Sequence, residues 1–229
     1  IIDTPGHVDF TPEVERSLRI LDGVVVIFCA KGGVEPQSET VWRQADKYRI
    51  PRIAYVNKMD AVGADFFRVV EQIKVRLGAN PVVMSMPVFE NESLVGIIDL
   101  IKMAYITFGG RLGNEVKEQE IPEQYKQEAD EQRHLMLESI AELDEALLEL
   151  YLDNQPISCD DIINAVHRQT VANKMVPVIC GSSYRNIGVQ TLLDAIVDYL
   201  PSPLEIEIPS AVDVESGETL EVPPQADNK

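Results

Sequence analysis

Apolar positions fall along this chain in two rhythms. Near-continuous runs at Val24–Phe28, Arg52–Val56 and Val176–Cys180 have the character of strands buried on both faces. Between and after them the apolar residues space out at helical intervals. That spacing predicts helices from about Pro36 to Arg49, Gly63 to Leu77 and Gly188 to Tyr199. In the first of these, Val41, Ala45 and Tyr48 share one stripe, so Trp42 reads as a packing residue. A shorter helix over Glu13 to Leu21 precedes the first strand, and Ile1-Ile2 reads as the tail of another buried strand. Strands alternating with helices predict an α/β fold with a parallel sheet covered on both faces. Such sheets bind ligands at the C-terminal ends of their strands.

The rhythm is interrupted once. Asn57 and Gly181, each at the end of an apolar run, stand 124 residues apart. One helix and one strand need only about 30, which leaves roughly 90 to 100 extra. The excess is expected to begin near Asn80-Pro81, to end near Met175 and to form an inserted α+β subdomain over 80–175. Leu94 to Ile98 and Ala104 to Phe108 read as its strands. Pro122 opens a long helical segment in which Met136, Ile140, Leu143 and Leu147 keep amphipathic spacing. Ser158-Cys159-Asp160-Asp161 looks like a capping box opening another helix, with Ile162, Ile163 and Val166 on its apolar side. The surrounding unit is expected over 1–79 and 176–203, with Pro201-Ser202-Pro203 as a stop and 204–229 as a linker.

Three polar stretches follow apolar runs, where such a sheet presents its ligand groups. The first is Asp3-Thr4-Pro5-Gly6-His7. Asp3 offers a hard oxygen suited to the water shell of a magnesium ion beside phosphates. Gly6 lets its N–H approach a phosphate oxygen, and His7 is placed to orient an attacking water. The second is Asn57-Lys58-Met59-Asp60. The Asp60 carboxylate can accept from both guanine N1–H and the 2-amino group, a pairing adenine does not offer. Asn57 can meet the purine edge and brace neighbouring loops, and the Lys58 stem can lie over the ring. The third, Gly181-Ser182-Ser183, supplies N–H groups and a hydroxyl suited to guanine O6 and to supporting the Asn57 loop. Each stretch alone is also ordinary turn chemistry. Their joint presence, in this order, points to a guanine nucleotide, GTP or GDP, with Mg2+.

Composition narrows the partners. The net charge of −18 argues against broad electrostatic wrapping of nucleic acid, and DNA is not expected as a partner. The three cysteines, Cys29, Cys159 and Cys180, form no C-x-x-C and read as reduced core thiols of a cytoplasmic protein. No apolar run is long enough to span a bilayer. His134 and His167 lack ligand-spaced partners and are not assigned to a metal.

Several stretches together resemble the elongation factor G family of translational GTPases. They are D-T-P-G-H-V-D-F at 3–10, E-V-E-R-S-L-R at 13–19, G-V-E-P-Q-S-E-T-V-W-R-Q-A at 33–45, N-K-M-D at 57–60, G-A-D-F at 63–66 and L-P-S-P-L at 200–204. Cys29 and Ala61 depart from the family pattern at positions that do not touch its nucleotide. The resemblance implies a P-loop GTPase fold and GTP hydrolysis with His7 as the catalytic residue. It also implies a mobile switch helix at Glu13 to Leu21 and a monomeric factor that drives ribosomal translocation. The ribosome, through its RNA and its stalk proteins, is the implied partner, with the insertion meeting the stalk. The phosphate-cradling G-x-x-x-x-G-K-[ST] does not occur in the 229 residues. The chain therefore reads as an N-terminally truncated GTPase domain, expected neither to fold well alone nor to hydrolyse GTP. A tetracycline ribosomal protection or release-factor GTPase, or a non-catalytic ribosome-binding module, stays open as an alternative.

Overall fold

The computed structural model describes residues 1–3, 11–110, 113, 115–153, 155–205, 210–212 and 219–221. The expected alternation appears as α1 (Thr11–Leu18), β1 (Val24–Cys29), α2 (Pro36–Lys47), β2 (Arg52–Asn57) and α3 (Phe66–Leu77). Helix α1 sits earlier than the expected Glu13 to Leu21. Helix α3 starts later than Gly63, because Asp65 caps it by accepting from the Arg68 N–H at 3.0 Å. Trp42 is buried and stacks at 4.7 Å on the Arg52 guanidinium, which is the packing role its position predicts.

Next come β3 (Pro81–Val83), β4 (Ser85–Glu90), β5 (Ser93–Asp99), β6 (Ala104–Gly109), β7 (Glu115–Gln119), α4 (Glu123–Ala141), α5 (Glu145–Leu152) and α6 (Cys159–Val171). Then come β8 (Val176–Cys180), α7 (Val189–Tyr199), β9 (Ser210–Val212) and β10 (Thr219–Glu221). A parallel sheet runs in the order β1-β2-β8-β3, and an antiparallel sheet in the order β4-β5-β6-β7.

Four expectations change. The insertion was to begin at residue 80, yet β3 pairs with β8 in the parallel sheet, because Val82 is buried against that core. The long segment after Pro122 is two helices. Asp144 accepts from the Leu147 N–H at 3.1 Å and so caps α5, which leaves Leu143 in the turn and starts a new helix before Leu147. Ile1 and Ile2 are exposed and outside any strand, with no described strand beside them to supply ladder bonds. Within the expected linker, β9 and β10 pair antiparallel.

Side chains alternate across β2. Ile53 and Tyr55 join a core that continues through Met84 and Met86 into Ile98, Met136 and Ile162, and so ties the two sheets together. Ala54 and Val56 face a second core with Phe28, Val69, Ile73 and Val178. Two buried faces hold β2 and β8 rigidly side by side, and the loops at their C-terminal ends inherit that rigidity.

Candidate functional site

Strands β2 and β8 run parallel with Val56 level with Cys180, so Asn57 and Gly181 leave the sheet together. The Gly181 N–H donates to the Val56 carbonyl at 3.0 Å. Lys58 takes a left-handed conformation at φ 62° and reverses the chain. The reversal buries Met59, whose N–H donates to the Gly181 carbonyl at 3.1 Å, and leaves Lys58 exposed and Asp60 half-buried. Loop 57–60 is thus clamped to loop 181–183 by the backbone before any side chain contributes.

The polar side chains complete the clamp. Asn57 Oδ1 accepts from its neighbour's N–H on Lys58 at 2.7 Å and from the Ser183 N–H at 2.9 Å. The Ser182 hydroxyl, fully buried, donates to Asp60 Oδ1 at 2.6 Å. Its oxygen also accepts from the Arg185 N–H at 3.3 Å. Ser182 and Ile187 exchange two backbone bonds, at 2.8 and 3.0 Å, and close the turn between them. Gly181 has no room for a side chain. A Cβ there would lie 2.3 Å from the Ile187 carbonyl oxygen and 2.4 Å from Tyr55 Oη. Burial pushes the Tyr55 phenol up to about 12, and its hydroxyl donates to the Ile187 carbonyl at 3.5 Å.

The structure brings Asn57, Lys58, Met59, Asp60, Gly181, Ser182 and Ser183 into one loop pair at the C-terminal ends of two parallel strands. Asn57 acts as the brace its position predicts. The Ser182 hydroxyl turns to Asp60 rather than outward, and the N–H groups of Gly181, Ser182 and Ser183 donate to the Val56 carbonyl, the Ile187 carbonyl and Asn57 Oδ1, so the donors expected for guanine O6 are engaged within the protein. Asp3 is exposed. Thr4, Pro5, Gly6 and His7 lie outside the described residues. Two groups escaped the sequence reading. Tyr55 props the loop from below, though its strand position announced only burial. Arg185 Nε lies 3.5 Å from Asp60 Oδ2, and an exposed arginine in a turn carries no pattern to announce it.

A cavity of about 260 Å³ lies elsewhere. It is lined by Trp42, Arg49, Arg52, Asn173 and Lys174, at the N-terminal ends of β2 and β8. Helices α2, α3 and α6 end there, and basic side chains near helix C-termini are favourable in themselves.

The family model described as the elongation factor Tu GTP binding domain matches residues 1–202. The chain belongs to the elongation factor Tu GTP-binding domain family. Within that family it is 66% identical over 226 residues to elongation factor G 1 of Syntrophomonas wolfei subsp. wolfei, covering 99% of this chain and 34% of the relative. It is 52% identical over 227 residues to elongation factor G 2 of the same organism, covering 99% and 33%. The chain therefore spans about a third of the length of these relatives. A crystal structure from Thermus thermophilus superposes with a TM-score of 0.80 at 32% identity, over 89% of this chain and 30% of that one. The expected resemblance to elongation factor G thus holds along the chain, and the α/β parallel-sheet architecture is that of this GTP-binding family.

Proposed function

We propose that this chain carries the guanine-reading half of a nucleotide site in a GTP-hydrolysing translation elongation factor. The observation that carries the reading is the pairing of loop 57–60 with loop 181–183 at the strand ends. In it, Asp60 is held half-buried by Ser182 while Asn57 is locked by Ser183. Asp60 accepts from N1–H and the 2-amino group of guanine. Ser182 positions the Asp60 carboxylate, Asn57 holds the two loops in register, and the exposed Lys58 stem covers the ring.

By resemblance, Asp3, Thr4, Pro5, Gly6 and His7 serve the phosphate end. The Gly6 N–H contacts the γ-phosphate and His7 orients the attacking water. Among the described residues no cluster of three or more His, Cys, Asp or Glu is poised to hold a metal. One exposed carboxylate, Asp3, fits Mg2+, which takes most of its ligands from water and substrate phosphates. When bound, the ion neutralises phosphate charge; Asp3 would hold its water shell.

The high identity to elongation factor G 1 supports ribosomal translocation as the whole protein's task rather than ribosomal protection or peptide release. We place the ribosome and its stalk proteins as partners, with the unit from β4 to α6 as the stalk-facing insertion. The protein works as a monomer in the cytoplasm. None of the described helices is long and apolar enough to cross a membrane.

Amide-shift mapping tests the base-reading claim. GDP should move the signals of Asn57, Lys58, Asp60, Ser182 and Ser183, whereas ADP at the same concentration should leave them in place. Equal shifts with both nucleotides would defeat it.

A further inference from the structure

We infer that Arg185 is a latch on the base-reading carboxylate: it holds Asp60 while the site is empty and must release it for guanine to bind. The inference rests on the reading of Asp60 as the guanine acceptor. Both oxygens of that carboxylate are engaged in the structure. Oδ1 accepts from the Ser182 hydroxyl at 2.6 Å, and Oδ2 lies 3.5 Å from Arg185 Nε.

The two contacts differ in kind. Ser182 is fully buried and its bond points into the protein, so it can persist when a ligand arrives. The Arg185 side chain is 65% exposed, against 24% for Asp60, so its contact covers the face of the carboxylate that meets solvent. A base must approach from that face.

The latch is also short and well anchored. The Arg185 N–H donates to the same Ser182 oxygen whose proton goes to Asp60. Asp60, Ser182 and Arg185 therefore form a closed ring of contacts. The turn carrying Arg185 is sealed by the paired backbone bonds between Ser182 and Ile187, and by the Asn186 N–H donating to the Ser183 carbonyl at 3.2 Å. Few backbone movements are left to carry the arginine away, so release occurs by rotation of its side chain. In a chain of net charge −18, a local cation on this carboxylate also offsets the repulsion that a vacant acceptor would feel.

Guanine presents two donors to a carboxylate and gains from both oxygens. Arg185 competes for one of them, so the arginine lowers apparent affinity by the strength of an exposed ion pair, about two- to fivefold. Salt screens such a pair, so the penalty fades as ionic strength rises.

The test is equilibrium titration of the full chain with GDP, followed through the amide signals of Asn57, Asp60 and Ser183, for wild type, Arg185→Ala, Arg185→Lys, Asp60→Asn and the double variant. Arg185→Ala should bind about two- to fivefold tighter at low salt, with the gap closing near ~0.5 M salt. Arg185→Lys should fall between, and the double variant should bind no tighter than Asp60→Asn. If Arg185→Ala binds equally or more weakly while Asp60→Asn still weakens GDP, the latch is overturned and the base reading stands. If Asp60→Asn leaves GDP binding unchanged, or GDP moves none of these signals, the base reading fails and the latch falls with it.

Discussion

Gly181 shows how much one hydrogen atom decides at this site. Its missing side chain lets the Ile187 carbonyl and the Tyr55 hydroxyl close on it from two sides, at 2.3 and 2.4 Å from where a Cβ would sit. One neighbour is backbone and the other a buried phenol, so neither yields easily. Gly181→Ala should cost about 1–3 kcal/mol by denaturant titration and loosen the clamp on Asn57. A substitution within a few tenths of wild type would mean the loop is slacker than described. The thiols separate just as sharply. Cys180 is fully buried beside Ser85, and burial pushes its thiol up to about 12, while Cys159, at the exposed start of α6, is not the core thiol expected of it. A thiol reagent should label Cys159 in the native protein and reach Cys180 only after unfolding. Asn57, Asp60 and Gly181 were legible at this scale because acceptor chemistry and turn residues follow apolar runs. Arg185 was not, since its role depends on a contact between segments 125 residues apart.

At the level of elements, the break between α4 and α5 hangs on Asp144. Its side chain caps α5 and takes a bidentate grip from Arg168, at 2.9 Å to each oxygen, with Gln169 adding a third donor at 3.0 Å. The Arg168 hydrogen bonds hold this carboxyl down to about 2. A depressed pKa stabilises the fold above the ordinary carboxylate range. That stability is expected to fade as pH falls from about 4 towards 2, and acid titration of Arg168→Ala should show a smaller loss over the same window. Arg168→Ala should itself cost about 2 kcal/mol at neutral pH. Ser158 makes a reciprocal capping box with Asp161, as its sequence promised, and Ser158→Ala should cost about 1 kcal/mol by thermal melting. The spacing of Met136, Ile140, Leu143 and Leu147 suggested one helix because the two helices happen to keep apolar residues in register across the turn. Strand β7 was invisible for the opposite reason: it is exposed along its whole length and carries no alternation. Strands β3 and β4 were not expected from the sequence, and each carries a proline. Pro81 opens β3 and Pro87 sits on the edge strand β4, places where a missing N–H is tolerated.

On the scale of the molecule, the insertion is joined to the parallel sheet by shared packing. One core runs from Ile53 and Tyr55 through Met84 and Met86 to Met136 and Ile162. Calorimetry should therefore find a single cooperative transition, and two resolved transitions would contradict a shared core. Met86→Ala, at the seam, should cost about 2–5 kcal/mol. The parallel architecture was legible because buried strands and amphipathic helices alternate. The order β1-β2-β8-β3 was not, because β3 and β8 meet across almost the whole insertion. Guanine selectivity here depends on Asp60 as the reader of the base. The decisive measurement is competition between GDP and XDP, the xanthine analogue, for wild type and Asp60→Asn. Asp60→Asn should lose about 10- to 100-fold in GDP affinity and prefer XDP, whose C2 carbonyl accepts from the new amide. An unchanged preference for GDP in that variant would contradict the account.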